Sequence, residues 1–349
     1  MLPGVEMIHL GGGESLPCPD ACDLPIDASA RGAGFGTSRL ALPPARVHVL
    51  AGAIVHPRSG VVTTADGRVV AESVTTAMVG RAPLVDEELR ADPVVVPGSV
   101  ALLRSPLRSE YHTLVDDLPR AGLLIHPAVG RVGNIAVLHD GPLTTIESAL
   151  LAHLGGRRIR LESVEHGRPV RADRVVVANY VTRAGAGAVP SWYRRWCDNV
   201  PLPEPGHVPR RLLLDAGTVR AAENHADVID VAERHGVVPI DPAGLDPTAL
   251  LATLREADLV VGTVDGGLTG CLFSHRAHMI ELLTGRTLDP AMYYLAASKG
   301  LPYDYVPACA DVPLRQQGRR RSRSTTTSSA RSPTVDVGWL DRLLDRIAR

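Results

Sequence analysis

The stretch ADLVVGTVDGGLTGCLF, residues 257–273, decides the fold class of this 349-residue chain. Its run Leu259–Gly262 is apolar throughout, as strands buried inside parallel sheets are. Gly266 and Gly267 then mark a tight turn, and the apolar segment that begins at Leu268 predicts a helix. A strand, a short loop and a helix in this order form one unit of a parallel α/β sheet.

The same alternation of strand and helix extends to both sides of this stretch. Four further short apolar runs predict strands, and the segments between them have helical length and periodicity. Repeated units of this kind predict a doubly wound sheet, in which ligands bind at the carboxyl ends of the strands. The predicted strands are residues 211–214, 237–240, 259–262, 279–283 and 303–306, and the predicted helices are residues 220–234, 247–257, 268–274 and 290–298.

The first half of the chain also mixes strand-like and helical patterns, which indicates a second α/β layer. Its helices are predicted around residues 110–126 and 144–154. Its strands are predicted at residues 47–55, 61–70, 94–96, 100–103, 135–139 and 175–179.

The length of the chain predicts two domains, and its composition places the boundaries. A proline-rich stretch separates the two α/β regions, because prolines at that density stop helices and central strands. The expected division is an irregular lead-in at 1–45, an N-terminal α/β domain at 46–190, a proline-rich linker at 191–209, a C-terminal domain at 210–314, a disordered Arg/Ser/Thr-rich loop at 315–333, and a returning strand and amphipathic helix at 334–349.

Composition excludes several classes of protein. With 45% hydrophobic residues and a net charge of −1, the chain is neither globally disordered nor a general nucleic-acid binder. No run of 18 apolar residues predicts a membrane span, and the first residues do not resemble a signal peptide. Five scattered cysteines fit a reducing compartment, so we expect a cytoplasmic protein.

Arginine outnumbers lysine strongly, since Lys299 is the one lysine among 37 basic residues. This bias is typical of a GC-rich genome, and we expect a bacterial source. Residues 315–331 nevertheless concentrate six arginines without an acidic residue. A solvated loop is the plain interpretation of this segment, and weak contact with an anionic membrane surface is the alternative.

The segment EYHTLVDDLPR, residues 110–120, contains the first candidate for chemistry. His112 and Asp116 are four residues apart and therefore share one face of a helix. Pro119 lacks an N–H, so we expect a kink that leaves the carbonyl of Val115 free. A carboxylate beside an imidazole can serve as a general-base pair, or it can be an ordinary hydrogen bond on a helix surface.

The loop after the strand 259–262 is the second candidate. Backbone N–H groups of Gly266, Gly267 and Leu268 would begin a helix at the carboxyl edge of the sheet, where anions are favoured. Thr269 could add a hydroxyl to a bound phosphate. A tight turn without a ligand explains the same residues equally well.

Glu281 is the third candidate, because an acid inside the apolar run 279–283 is costly unless it is paired or bound to a ligand. One unit after the glycine loop, its carboxylate could accept hydrogen bonds from a ribose. A solvated acid at the end of a strand is the alternative.

Several of these segments together resemble glycosyltransferase family 61, which includes capsular-polysaccharide, xylan and protein O-linked N-acetylglucosamine transferases. Residues 110–120 are similar to its motif N-Y-x-H-W-L-x-D-x-L-P-R, and residues 257–273 to A-D-V-I-V-G-x-H-G-A-G-L-T-N-x-L-F. The runs Met279–Glu281 and Tyr293–Ala296 follow in the family's order. The resemblance covers about residues 46–312 and the last 15 residues.

The resemblance implies a GT-B-like fold, with two Rossmann-like domains facing a cleft. It implies metal-independent, inverting transfer from a nucleotide-sugar donor to a polysaccharide or other hydroxyl acceptor, with no cofactor. The N-terminal domain would then be the acceptor side and the C-terminal domain the donor side. In these roles, His112 or Asp116 would be the base, and the donor would be bound by Arg120, Arg220, Gly266, Gly267, Leu268, Thr269 and Glu281.

The chain also departs from the family's pattern. Val264 and Asp265 stand where the glycine loop usually has His and Gly, and Gly270 stands in place of Asn. Glu110 and Thr113 replace the Asn and Trp of the first motif. These changes keep open a catalytically inactive relative that acts as a binding or scaffold subunit. A dinucleotide-dependent oxidoreductase is disfavoured, because no G-x-G-x-x-G follows a strand.

Overall fold

A computed structural model of the chain describes residues 5–18, 35, 38–74, 82–103, 109–154, 158–164, 167–182, 187–206, 208–283, 289–307 and 334–349. The side chains of residues 82–85 and 265 lie outside this description, and so do the expectations for residues 19–34 and 308–333. None of the helices within the described ranges is long and apolar enough to cross a membrane.

The predicted α/β class is confirmed, and the chain divides into two compact units. The first unit comprises residues 1–15, 41–185 and 189–201, and the second comprises residues 16–40, 186–188 and 202–349. Each unit is built around its own β-sheet.

The first unit contains an eight-stranded mixed sheet in the order β1-β4-β10-β7-β8-β9, with β5 and β6 attached beside β10. Strands β10, β7, β8 and β9 run parallel, while β1, β4 and β5 are antiparallel to their neighbours. A cluster of buried aliphatic side chains from β4, β7, β8 and β10 forms its core. This sheet is richer in antiparallel pairs than the pattern of alternating units predicts.

The elements of the first unit follow the printed sequence in this order. They are β1 (Val5–His9), β2 (Glu14–Pro17, which continues into the second unit), β4 (Arg46–Ala51), β5 (Ile54–His56), β6 (Val61–Thr63), α1 (Ala82–Arg90), β7 (Val94–Leu102), α2 (Glu110–His112), a π-helical turn (Thr113–Asp117), α3 (Leu118–Leu124), β8 (Ile135–Asp140), α4 (Thr145–Leu154), β9 (Ile159–Val164), β10 (Val170–Ala178) and α5 (Ser191–Asn199).

The second unit contains five parallel strands in the order β12-β11-β13-β14-β15. The chain enters at β11, moves out to β12, and then crosses back over β11 to β13. The point where the direction of winding reverses therefore lies between β11 and β13, which is where open α/β sheets bind ligands. The loops after these two strands touch, because a Cβ on Gly266 would lie 3.2 Å from the carbonyl oxygen of Ala216.

Helices lie against both faces of this sheet. One face packs against α7 and α10 through a fully buried aliphatic cluster, and the other packs against a 3-10 helix at Leu268–Phe273 and α9. The elements are β3 (Arg39–Leu42, which continues into the first unit), β11 (Arg211–Leu214), α6 (Gly217–Arg220), α7 (His225–Arg234), β12 (Val238–Ile240), α8 (Pro247–Glu256), β13 (Leu259–Gly262), β14 (His278–Leu282), α9 (Ala291–Lys299), β15 (Tyr303–Val306) and α10 (Val337–Ala348).

Three expectations about local structure are wrong. The lead-in 1–45 is not irregular throughout, since β1 pairs with β4, and a strand needs no long apolar run when a neighbour supplies its hydrogen bonds. The linker 191–209 begins with the helix α5, because Pro190 precedes the helix and leaves its hydrogen bonds intact. The two strands expected at 94–96 and 100–103 are one strand, which continues through Gly98 at a φ of 89°.

Candidate functional site

A π-helical turn at Thr113–Asp117 interrupts the helix that carries the first motif. Such turns occur often at functional sites. The expected break near Pro119 is present, but the carbonyl that receives an outside donor is that of Leu114 and not that of Val115. The Tyr193 hydroxyl donates to the Leu114 oxygen at 2.8 Å. In π register the N–H of residue 119 would serve that oxygen, and proline has none.

The π turn presents His112 and Asp116 as a hydrogen-bonded pair. His112 Nδ1 lies 2.7 Å from Asp116 Oδ2. The hydroxyl of Thr182, which follows β10, donates to the other carboxylate oxygen at 2.9 Å. Asp116 is 9% exposed, and the imidazole is partly exposed. With Nδ1–H donated to the carboxylate, Nε2 is the nitrogen that can accept a proton.

This arrangement separates two roles that the sequence leaves interchangeable. Both oxygens of Asp116 already accept hydrogen bonds, from His112 and from Thr182. A carboxylate in this position fixes the tautomer and the orientation of the imidazole. The geometry therefore favours His112 as the base and Asp116 as the residue that positions it.

Arg120 lies in the first unit and is 5% exposed. Its Nε donates to the carbonyl of Ala178 at 3.1 Å, one Nη donates to the Tyr180 hydroxyl at 3.3 Å, and the guanidinium lies 4.4 Å from the centre of the Tyr180 ring. Burial raises the pKa of Tyr180, although the nearby Arg120 charge acts in the opposite direction. The arginine is thus held at the carboxyl end of β10, beside the residues that lead to Thr182.

Sequence reasoning did not identify Thr182, Tyr180 or Glu110 as residues of this region. Oε1 of Glu110 is buried and, within the described residues, has no hydrogen-bond donor in reach. Burial raises the pKa of the Glu110 carboxyl. The place of Glu110 inside the first motif was a signal that could have drawn attention to it, whereas the positions of Thr182 and Tyr180 become visible only once β10 is folded beside the helix.

The glycine loop of the second unit uses part of its backbone for itself. The N–H groups of Gly266 and Leu268 both donate to the carbonyl of Thr263, at 3.0 and 3.3 Å. Gly267 adopts a left-handed conformation with a φ of 95°, which favours glycine. Two of the three amides expected to face an anion are therefore occupied, and the helix that follows is a short 3-10 helix.

Thr269 belongs to that 3-10 helix and is fully buried. Its hydroxyl finds no hydrogen-bond partner within the described residues. The hydroxyl is therefore enclosed in this conformation, and a phosphate at the surface of the loop could not reach it. The side chain of Asp265, which the sequence placed beside a diphosphate, lies outside the described residues.

Arg220 lies near the reversal point of the second sheet, at the end of α6. Its guanidinium contacts Asp215 and Asp241, each at 3.2 Å. His225 Nε2 lies 2.8 Å from Asp215, which follows β11 directly. Burial opposes ionisation of Asp215, but hydrogen bonds from His225 and Arg220 hold the pKa of that carboxyl below its usual value. Two carboxylates thus surround the cation expected to bind a diphosphate.

Glu281 lies in the middle of β14 and is 4% exposed. Its Oε2 accepts a hydrogen bond of 2.5 Å from the Tyr303 hydroxyl on the neighbouring strand. Burial raises the pKa of Glu281 to about 8, against the effect of that hydrogen bond. Binding of a ribose by Glu281 stays a prediction, and in this conformation the carboxyl is enclosed by its own unit.

The predicted residues therefore fall into two groups. His112, Asp116 and Arg120 come together in the first unit, around the carboxyl end of β10. Arg220, the glycine loop and Glu281 belong to the second unit. No group of three or more His, Cys, Asp or Glu side chains among the described residues is arranged to hold a metal ion.

Comparison with models of known protein families gives no match for this chain, and comparison with curated proteins gives none either. The resemblance to glycosyltransferase family 61 therefore depends on the motifs alone. The argument for a function depends on the geometry of the His112–Asp116 pair.

Proposed function

We propose that the chain is an inverting glycosyltransferase that moves a sugar from a nucleotide-sugar to a hydroxyl of a polysaccharide or another acceptor. The observation that carries the proposal is the His112–Asp116 pair, supported by Thr182. The order of the motifs along the chain supports the same reaction class. The proposal includes a GT-B-like arrangement of two Rossmann-like domains and a cytoplasmic bacterial enzyme that uses no metal ion.

The chemistry asked of the pair is one proton transfer. Nε2 of His112 would take the proton of the acceptor hydroxyl while its oxygen bonds to the anomeric carbon of the donor. The bond from that carbon to the nucleoside diphosphate breaks on the opposite side, which inverts the configuration. Asp116 would stabilise the imidazolium that forms, and general-base catalysis of this kind contributes about 10²–10⁴-fold to a rate.

The departing diphosphate needs hydrogen-bond donors and positive charge. In the proposal these come from Arg120, Arg220 and the glycine loop, with Gly267 the one loop amide of the predicted three that Thr263 does not occupy. Arg220 would have to leave Asp241 in order to meet a phosphate. The donor groups are therefore expected to rearrange when a nucleotide binds.

The proposal is tested by incubating the full chain with a panel of nucleotide-sugars and oligosaccharide acceptors, and by measuring glycosylated product by mass spectrometry. Product of inverted anomeric configuration is expected from the natural chain, and a loss of about 10²-fold or more from His112→Ala. His153→Ala, a change in a helix away from the motif, is the matched control and should leave the rate unchanged. Undiminished transfer by His112→Ala would contradict the proposed base.

A second function is favoured by the state of the donor residues. The amides of Gly266 and Leu268 are occupied, and Arg220 is neutralised by Asp215 and Asp241. A binding or scaffold subunit without catalytic activity would show these features permanently. Calorimetric titration with uridine, guanosine, cytidine and thymidine nucleotides separates the two functions, because an active enzyme must bind one of them and a silent subunit need not.

A further inference from the structure

Strand β9 is the end strand of the eight-stranded sheet, with β8 on its inner side. The middle of the strand is accessible, since Leu161 is 37% exposed and the Arg160 side chain is more exposed still. An edge of this kind presents a row of unpaired backbone N–H and C=O groups that can pair with another strand.

The register with β8 shows which backbone groups face outwards. The N–H of Ile135 donates to the carbonyl of Arg158, which therefore faces β8. Because the direction alternates along a strand, Arg160 and Glu162 also direct their backbone groups to β8. The N–H and C=O groups of Ile159, Leu161 and Ser163 consequently point to the open side.

The side chains of this edge are complementary to their own reverse. Arg160 and Glu162 flank Leu161, share one face of the strand and form an ion pair with each other. An antiparallel copy related by a two-fold axis at Leu161 places Arg160 opposite Glu162 of the partner subunit, and Glu162 opposite Arg160 of the partner subunit. These positions are non-hydrogen-bonded pairs, in which opposing side chains approach most closely.

Other registers with the same backbone polarity lack this match. A two-fold axis at Ile159 places Arg160 opposite Arg158 of the partner subunit, which brings like charges together. An axis at Ser163 places Glu162 opposite Val164 of the partner subunit, which gives that acid no counter-charge. The axis at Leu161 pairs opposite charges twice and uses the outward groups of three residues, about six backbone hydrogen bonds in all.

We propose that two copies of this chain associate through β9, antiparallel about Leu161, so that their sheets become continuous. The proposal is independent of the glycosyltransferase function, because β9 carries none of the residues assigned to that reaction.

Sedimentation velocity of the full chain over a range of concentrations tests this dimer. The natural chain should reach a mass of about 74 kDa, twice 37.1 kDa. Arg160→Glu places two pairs of like charges across the axis and should raise the dissociation constant at least ~10-fold. Glu162→Arg should do the same, and the double variant Arg160→Glu/Glu162→Arg should restore the dimer. A natural chain that stays monomeric, or a single variant that dimerises as the natural chain does, would overturn the proposal.

A second pair of variants tests the backbone contribution. Leu161→Pro removes an N–H that points outwards, so the ladder to β8 keeps its hydrogen bonds and the fold is retained. This variant should be monomeric with the natural circular dichroism spectrum, whereas Leu161→Ala, which keeps the N–H, should dimerise. A folded Leu161→Pro variant that still dimerises would exclude β9 as the interface.

Discussion

The proposed chemistry depends on one hydrogen bond, in which Nδ1–H of His112 donates to Asp116. The bond decides which nitrogen carries the proton in the resting protein, because a carboxylate accepts and does not donate. Thr182 donates to the second oxygen and so holds the carboxylate in the plane that the imidazole needs. Proton acceptance at Nε2 follows from these two contacts together.

Asp116→Asn tests this orientation with little change in shape. The amide can still meet Thr182 through its oxygen, but its NH₂ then faces His112 Nδ1 and favours the tautomer with the proton on Nε2. We expect the transfer rate to fall about 10²–10⁴-fold, measured with saturating donor, while the melting temperature changes little. Thr182→Val is the control, because it keeps the His112 contact and should lose much less activity. Equal losses in both variants would contradict a tautomer effect.

Glu281 makes the unfolding free energy depend on pH. Its pKa is raised from 4.5 to about 8 in the folded chain, so the folded state holds the proton more tightly than the unfolded state. The resulting stability is fully present below pH 4.5 and is lost as the pH rises towards 8. Within this window the natural chain should lose up to about 1.4 kcal/mol of unfolding free energy per pH unit through this group.

Glu281→Gln removes that dependence, because the amide does not ionise. Urea unfolding from pH 5 to pH 8 should show the variant gaining stability relative to the natural chain as the pH rises. Glu233→Gln changes an exposed glutamate of the same unit and should follow the natural chain. A constant difference between Glu281→Gln and the natural chain across this range would show that Glu281 is already ionised at low pH.

At the scale of the element, the π turn is what brings the two motif residues into contact with the rest of the site. A regular helix would also place His112 and Asp116 on one face, but one extra residue in the turn shifts the helix after it by about 100°. The turn leaves the carbonyl of Leu114 without an N–H from Pro119. The fully buried Tyr193 of α5 supplies the missing donor.

Tyr193→Phe should therefore destabilise the chain by about 1–3 kcal/mol, because a buried carbonyl loses its partner without a change in packing. Pro119→Ala supplies an N–H that can reach the same oxygen in π register. In the double variant the loss caused by Tyr193→Phe should be smaller than in the natural background, as measured by urea unfolding of the four proteins. Additive losses would mean that the Tyr193 hydroxyl and residue 119 do not serve the same carbonyl.

The sequence predicted the elements of the second unit well, because each strand of a buried parallel sheet is a short apolar run with turn residues at its ends. The bounds of β11, β13 and β15 agree with the expected ones. The π turn and the Tyr193 contact could not be predicted, since both depend on the packing of α5, which is distant in sequence. The occupied amides of Gly266 and Leu268 likewise depend on the path of the loop and not on the residue types.

For the whole molecule, the last twelve residues of helix matter more than their position at the end of the chain indicates. Helix α10 was expected to need a surface to cover, and it packs on the second unit against α7 and the sheet. Polar contacts fix its orientation, since Asp341 lies 2.9 Å from His235 and Arg346 lies 2.9 Å from the buried Asp304. The chain thus closes one face of its second sheet with its final residues.

Leu344→Ala tests how much this closure contributes to stability. The side chain is fully buried between α7 and the sheet, so its truncation leaves a cavity and should cost about 2–5 kcal/mol of unfolding free energy. Asp345→Ala changes the next, exposed residue of the same helix and should stay within about 0.5 kcal/mol. The measurement is urea unfolding followed by tryptophan fluorescence, because Trp339 lies on α10 and packs against the same cluster. If both variants unfold at the urea concentration of the natural chain, α10 is not part of the cooperative unit, and the aliphatic face of the sheet must be stable in water without it.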